Sequence, residues 1–216
     1  ATPSVTVQIT DRDGQTYNET FTINVNDVND APSLANASFR VDENQTGTIQ
    51  LGSITATDQD GDTLSLALTK GGDIFSLSDD GQLSLTTATG FDYETKNSYQ
   101  ITVAAEDEHG GVSSHDYTIN VLDMNEPPTA LTLSNNVIYE NIPLVNRVVG
   151  TVSVTDPDAN NQFTYQVSND KFEIINGQLC VKEAVTFTTG VDELVNITVT
   201  DADYMISQDF AISINY

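Results

Sequence analysis

Asp27-Val28-Asn29-Asp30-Ala31-Pro32 comes back about 97 residues later as Asp123-Met124-Asn125-Glu126-Pro127-Pro128. Other acids repeat with it at a similar period: Glu43-Asn44 returns as Glu140-Asn141, and Asp58-Gln59-Asp60 as Asp156-Pro157-Asp158. A further acid follows the penultimate strand of each unit, at Asp11, Asp107 and Asp201. A period of this length in 216 residues describes two complete units and a leading fragment.

Between the acids the chain reads as strands. Ser38–Val41, Gly52–Thr57, Leu64–Leu68, Gln82–Leu85, Tyr99–Val103 and Tyr117–Val121 alternate apolar and polar residues, and turns such as Asp79-Asp80-Gly81 separate them. A short stretch near Asp73 to Leu77 brings the count for this unit to seven strands. The pattern resumes at Val137–Tyr139, Gly150–Val154, Phe163–Val167, Leu179–Val181, Val195–Val199 and Phe210–Ile214, and no segment carries a helical period. Seven short strands in about 95 residues, a pattern the second unit repeats, predict an all-β chain of tandem seven-stranded Greek-key β-sandwiches with immunoglobulin-like architecture. With no Trp and one Cys, the Cys-Trp-Cys core of antibody domains is excluded.

Seven Lys and Arg stand against 32 Asp and Glu, a formal charge of −25, so no basic patch exists for nucleic acid or an anionic membrane. The 38% of apolar residues in alternating runs argue for packed sheets over disorder. Carboxylates that recur at element ends and joints are what a hard, oxygen-seeking cation needs, and calcium takes six to eight such oxygens. Cys180 reads as a small core hydrophobe. No apolar run is long enough to span a bilayer, and a start within a strand pattern, without initiator Met or signal peptide, reads as a piece of something longer.

The linker, the acids after the first, second and penultimate strands, and Asp92-Tyr93-Glu94 stand in the order and spacing of cadherin repeats, and from residue 27 onward the chain resembles that family. Asp27, Asn29 and Asp30 match its D-x-N-D-N-type linker; Asp123 and Asn125 match it with Glu126 in place of the second Asp. Glu43 and Glu140 resemble its glutamate near the first strand, Asp92-Tyr93-Glu94 its D-R-E-type motif, Asp58/Asp60 and Asp156/Asp158 its D-x-D motif, and Asp107 and Asp201 its late single acid. The resemblance implies residues 1–26 as the truncated C-terminal hairpin of a preceding repeat, 27–32 and 123–128 as calcium linkers, and 33–122 and 129–216 as repeats. It also implies that Glu43, Asp92, Glu94, Asp123, Asn125, Glu126, Asp156, Asp158 and Asp201 gather at the second junction. Asp27, Asn29, Asp30, Asp58, Asp60 and Asp107 remain at the first, whose upstream partners fall in the truncated repeat. Asp11 would serve a still earlier junction.

Phe187-Thr188-Thr189-Gly190 stands where Phe91-Asp92-Tyr93-Glu94 does in the first repeat, so both acids are lost. Either this repeat ends the array or a calcium-free joint follows it. The implied function is a calcium-rigidified spacer of an extracellular or cell-surface adhesion protein, of bacterial character in its Thr/Asn/Asp richness, and not an enzyme. The alternative is that the repeats bind a ligand themselves, another cadherin-like repeat or a polysaccharide. Strand swapping through an exposed Trp is excluded, and Tyr17 and Tyr204, both read in hairpin turns, are the exposed aromatics.

Other readings carry less. Asp58-Gln59-Asp60-Gly61-Asp62 differs from an EF-hand loop because its Gly falls two positions early and Thr69 occupies the twelfth position. Asp92 and Glu94, two apart on one extended segment, do not by themselves flank a sugar as a glycosidase pair must. His109 and His115 read as solvated loop residues around Gly110-Gly111, and Asn18, Asn36, Asn44 and Asn196 open glycosylation sequons.

Overall fold

The structure is a computed structural model that describes residues 2–139, 147–159, 161–182 and 186–216. Glu140-Asn141 lie outside the described residues. Among these residues every regular element is a strand. The strands are β1 (Ser4–Thr10), β2 (Thr16–Thr22), β3 (Ser33–Leu34), β4 (Phe39–Asp42), β5 (Gly47–Ser53), β6 (Ala56–Thr57), β7 (Leu64–Lys70), β8 (Phe75–Leu77), β9 (Gln82–Thr87), β10 (Ser98–Asp107) and β11 (Val112–Leu122). The second half continues with β12 (Ala130–Leu133), β13 (Val137–Tyr139), β14 (Arg147–Thr155), β15 (Thr164–Val167), β16 (Phe172–Ile175), β17 (Gln178–Val181), β18 (Glu193–Thr200) and β19 (Met205–Asn215). The predicted β-sandwich class is the one observed.

The chain divides into two compact units, Ala1–Val41 with Thr46–Ala88 and Ser98–Asn120, and Asp42–Gln45 with Thr89–Asn97 and Val121–Tyr216. In the first, sheet β4-β11-β10-β7 and sheet β5-β9-β8 form the sandwich, with β3 paired to β6 and β1–β2 a separate hairpin. The core is made of the inward residues of alternating strands, among them Phe39, Phe75, Leu83, Leu85, Ile101, Val103, Tyr117 and Ile119. In the second unit, β12-β14-β17-β16 faces β13-β19-β18-β15 around Ile138, Phe172, Leu179, Val195, Ile197, Ile212 and Ile214.

Three of these strands have no counterpart among the expected ones: β3, β12 and β16. The first two share a cause. In each unit the first strand is split, one piece in one sheet and the next in the other, so β12 runs antiparallel to β14 while β13 runs parallel to β19. The piece pairing with β6 is two residues long, too short to show a period of two.

The strand beside the split carries a bulge at a glycine in both units. The register of β5 on β9 shifts between Gln50 and Gly52, and that of β14 on β17 between Val148 and Gly150. A Cβ on Gly150 would lie 2.5 Å from the carbonyl oxygen and 2.8 Å from the amide nitrogen of Asn135, the residue at the switch between β12 and β13. Backbone cannot yield as a flexible side chain does. Gly150→Ala is therefore expected to destabilise the second unit by about 1–3 kcal/mol in chemical denaturation, as overpacked sites do. Gly72→Ala, whose Cβ would meet nothing nearer than 3.9 Å, should stay within about 0.5 kcal/mol of the parent.

Candidate metal centres

In the second unit Glu43, at the end of β4, is buried, and its carboxylate joins two other segments. Oε2 accepts from Tyr93 N at 2.7 Å and Oε1 from Met124 N at 2.8 Å. A buried carboxylate is tolerated because backbone N–H donors replace its lost hydration. Around it, oxygens of Glu43, Asp92 and Glu94 lie within 4.8 Å of one another, and so do those of Glu94, Asp123 and Asp158. Glu94 belongs to both groups, so five acids from four stretches of the chain form one continuous cluster.

The linker adds Glu126, whose amide donates to Asp158 Oδ2 at 2.8 Å and whose Oε1 accepts from Asn44 Nδ2. Asn125 Nδ2 reaches Asp201 Oδ1 at 3.3 Å, and Asp158 N donates to Asp156 Oδ1 at 3.0 Å. Asp92 is partly spent on its own turn, accepting from Thr95 N at 2.8 Å and Thr95 Oγ1 at 2.9 Å.

The first unit repeats the linker-to-loop part of this scheme. Asp30 N donates to Asp60 Oδ2 at 2.7 Å, Asp60 N to Asp58 Oδ1 at 2.8 Å, and Asn29 Nδ2 to Asp107 Oδ2 at 3.0 Å. Asp27 and Asn29 line an open cleft with Asp60, Asp62 and His109. Asp62 was not among the expected site residues, yet its carboxylate lies within 4.8 Å of those of Asp58 and Asp60. The signal was present in Asp58-Gln59-Asp60-Gly61-Asp62, where the glycine turn (φ 83°) brings the third acid round.

Asp11, Asp107 and Asp201 share a local job. Oδ1 of each accepts two backbone amides of the hairpin that follows: Asp13 and Gln15, His109 and Gly111, Asp203 and Tyr204, all at 2.7 to 2.9 Å. Asp107 is held below the usual carboxylate range by Asn29 and these amides. In Asp201 burial pulls upward, but the donors outweigh it and the net shift is downward.

In the second cluster Asp92 is lowered by its Thr95 bonds, while three other acids are raised. Burial, then Glu43, Asp123 and Asp158, push Glu94 up; burial and Asp158 do the same to Asp123. Glu126 is raised to about 7, by burial against the relief of Asn44 and then by Glu43, Asp158 and Glu94. Six side-chain polar atoms are buried without a hydrogen-bond partner among the described residues, and four are carboxylate oxygens of these clusters: Asp58 Oδ2, Glu126 Oε2, Asp156 Oδ2 and Asp201 Oδ2. Asp58 and Asp156 are equivalent positions in the two units.

Several expectations need correction. His109 is not simply solvated, since Nδ1 pairs with Asp62 Oδ2 at 2.7 Å and this raises its pKa. His115 lies in β11, edge-on to Tyr117 at 4.8 Å. Tyr17 is exposed but sits in β2, not in a turn, and Phe21, Tyr139 and Tyr216 are exposed as well as Tyr204. The Asn44 and Asn196 amides are engaged, by Glu126 and Asp209. Phe187 packs on Phe172 at 5.8 Å with the Lys171 ammonium 5.4 Å from its ring.

A family model described as a bacterial Ig domain matches residues 29–120. Chicken Cadherin-1 is 33% identical over 193 residues, 78% of this chain and 22% of that protein. The chain thus spans about a fifth of that relative's length. Among solved structures, the protocadherin GammaB4 extracellular domain superposes with a TM-score of 0.74 at 18% identity, covering 98% of this chain and 42% of that one. Human Protocadherin-24 EC1-2 gives 0.70 at 19% identity, over 87% of this chain and 98% of that one.

The raised acids have a measurable consequence. A folded-state pKa of about 7 at Glu126, against 4.5 ordinarily, means the folded protein binds this proton more tightly than the unfolded chain. With metal chelated, stability should therefore fall as pH rises from about 4.5 to about 7 and level off above. Thermal melts in EDTA across that range test this, and Glu126→Gln should flatten the slope; an equal slope in both proteins would contradict it.

Proposed function

Since this chain is built of cadherin-like repeats, we propose that it is a calcium-stiffened segment of an extracellular adhesion protein, acting as a spacer. The observation that carries this reading is the four buried carboxylate oxygens without a hydrogen-bond partner among the described residues, Asp58 Oδ2 in the first cluster and Glu126 Oε2, Asp156 Oδ2 and Asp201 Oδ2 in the second, with Asp58 and Asp156 at equivalent positions. Such oxygens cost about 1–3 kcal/mol each or more when charged, and a cation is the partner that removes the cost. The donors are almost all carboxylate and amide oxygens, with no thiolate, which suits calcium and disfavours soft metals.

Glu43, Asp92, Glu94, Asp123, Asn125, Glu126, Asp156, Asp158 and Asp201 would hold ions at the second junction, and Asp27, Asn29, Asp30, Asp58, Asp60 and Asp107 at the first. Bound calcium supplies positive charge that neutralises the repulsion among these acids. The chain's own residues do the placing: Glu43 ties the 93 and 124 amides, and the Asp107 and Asp201 hairpin caps fix where their second oxygens point. Ligands drawn from strand ends, linker and the D-x-D loop make the joint stiff only when ions bridge them.

The bacterial family model and the Thr/Asn/Asp-rich composition support a bacterial surface protein as the source. Residues 27–32 and 123–128 then serve as the linkers of the array.

Calcium binds the folded arrangement and not the unfolded chain, so an ion at 100-fold excess over its Kd adds about 2.7 kcal/mol, a rise in Tm on the order of 10 °C. Removing calcium with EDTA should reverse it, and an unchanged melt would overturn the reading. Asp123→Ala or Glu94→Ala should abolish most of the calcium-dependent rise and shorten the calcium-bound molecule in small-angle scattering, with both sandwiches still folded by circular dichroism. A glycan and self-association screen with and without calcium separates the spacer, which gives neither signal, from repeats that bind a ligand themselves.

A further inference from the structure

Asp58-Gln59-Asp60-Gly61-Asp62 carries one acid more than its counterpart Asp156-Pro157-Asp158-Ala159-Asn160, and Glu108-His109 stand where the second unit has Ala202-Asp203. In the first unit these differences meet in space. The Asp107 cap takes the His109 amide at 2.9 Å just as the Asp201 cap takes that of Asp203 at 2.8 Å, so the two hairpins hold this position alike. What differs is the side chain. An imidazole extends from the first hairpin, and its Nδ1 meets Asp62 Oδ2 at 2.7 Å across 47 positions of sequence.

Glu108 completes a triplet: His109 Nδ1 and one carboxylate oxygen each of Asp62 and Glu108 lie within 4.8 Å of one another. Of the acid groups found among the described residues, this is the one with a nitrogen donor. Asp62 also belongs to the group it forms with Asp58 and Asp60, where Asp58 Oδ2 is buried with no hydrogen-bond partner among the described residues. No Lys or Arg falls in segments 58–62 or 107–111.

Donor type decides which ion such a triplet suits. Calcium and magnesium seek oxygen, whereas imidazole beside carboxylates favours zinc and its first-row neighbours. A tetrahedral zinc ion holds nitrogen and oxygen at about 2.0 to 2.2 Å, which sets its donors about 3.4 Å apart. The donors of the triplet therefore need to close by no more than about 1.4 Å, while the Nδ1–Oδ2 pair opens slightly as the ion takes the place of the shared proton. Two of the three side chains have room to adjust, since His109 is 59% exposed and Glu108 is exposed; Asp62, at 12%, is the fixed wall. Asp62 and His109 line an open cleft, so an ion can enter and water can fill its remaining position.

We propose that His109 Nδ1, Asp62 and Glu108 form a site for a zinc-class divalent cation in the first unit, adjoining the proposed calcium ligands Asp58 and Asp60 but differing from them in donor chemistry. Through Asp62 the ion is set beside those acids and adds positive charge against them. The second unit, with Ala202 and Asp203 at the equivalent hairpin positions, offers no nitrogen donor there.

The test is run with calcium saturating, so that failure here and failure of the calcium reading are separate results. The chain has two histidines, His109 and His115, and their imidazole proton resonances, assigned with His115→Ala, report on the site directly. Zinc chloride titrated into the 216-residue protein in millimolar calcium should shift the His109 signals and leave those of His115, in β11 against Tyr117, unmoved. Magnesium chloride should shift neither. By calorimetry His109→Ala should weaken zinc binding by about tenfold or more, and Asp62→Asn by a similar factor, with both variants folded by circular dichroism. His109 signals that stay in place in excess zinc, or zinc binding that survives His109→Ala and is removed by Asp123→Ala, would overturn the proposal.

Discussion

Too many like charges are held too close together for the folded chain to be at ease alone. Oxygens of Glu43, Asp92 and Glu94, and of Glu94, Asp123 and Asp158, sit within 4.8 Å of one another, and Lys96 is the one cation in segments 42–45, 89–97 and 121–126. In water at 4 Å two unit charges repel by about 1 kcal/mol, and by several times more where the surroundings are partly dry. The sheets place those segments regardless, because apolar burial over whole strands outweighs a local repulsion at their ends. The fold therefore imposes the charge density, and the proposed cations are what would offset it.

Much of this could be read from residue order, and the parts that could not have physical reasons. The linker acids, the D-x-D pairs and the late single acid stand out because they fall at turns, where alternation stops and a charged residue has no packing reason to recur. Asp62 escaped because a third acid in Asp58-Gln59-Asp60-Gly61-Asp62 looks like ordinary turn chemistry until Gly61 is seen at positive φ. β3 and β12 escaped because a strand that changes sheets shows neither face long enough to alternate. β16 leaves no clean alternation either, since only Phe172 of its four residues is fully buried. The His109–Asp62 pair spans 47 positions, and no local rule foretells it.

The role of Glu43 was visible as a ligand candidate but not as a fastener. Its two oxygens are spent on Tyr93 and Met124 amides, so it holds together the segments on which the other acids ride. A carboxylate whose two oxygens already take backbone donors is the opposite of Glu126, whose Oε2 is buried and bare. Acids of the first kind hold the segments together; acids of the second kind leave the charge that a bound cation would neutralise.

Asp107 and Asp201 combine both roles in one side chain. One oxygen caps a hairpin through backbone amides, and that bond fixes χ1 and χ2 before any ion arrives. The remaining oxygen, Asp201 Oδ2 bare or Asp107 Oδ2 on Asn29, is then pointed by the sheet and not by the ligand. Ordering a free carboxylate side chain on binding would cost roughly 0.5–1.5 kcal/mol, and the hairpin has already met that cost. Asp11 carries the same cap on a hairpin with no described acid cluster beside it, which argues that the cap belongs to the fold first and that the proposed cation binding would be built on top of it.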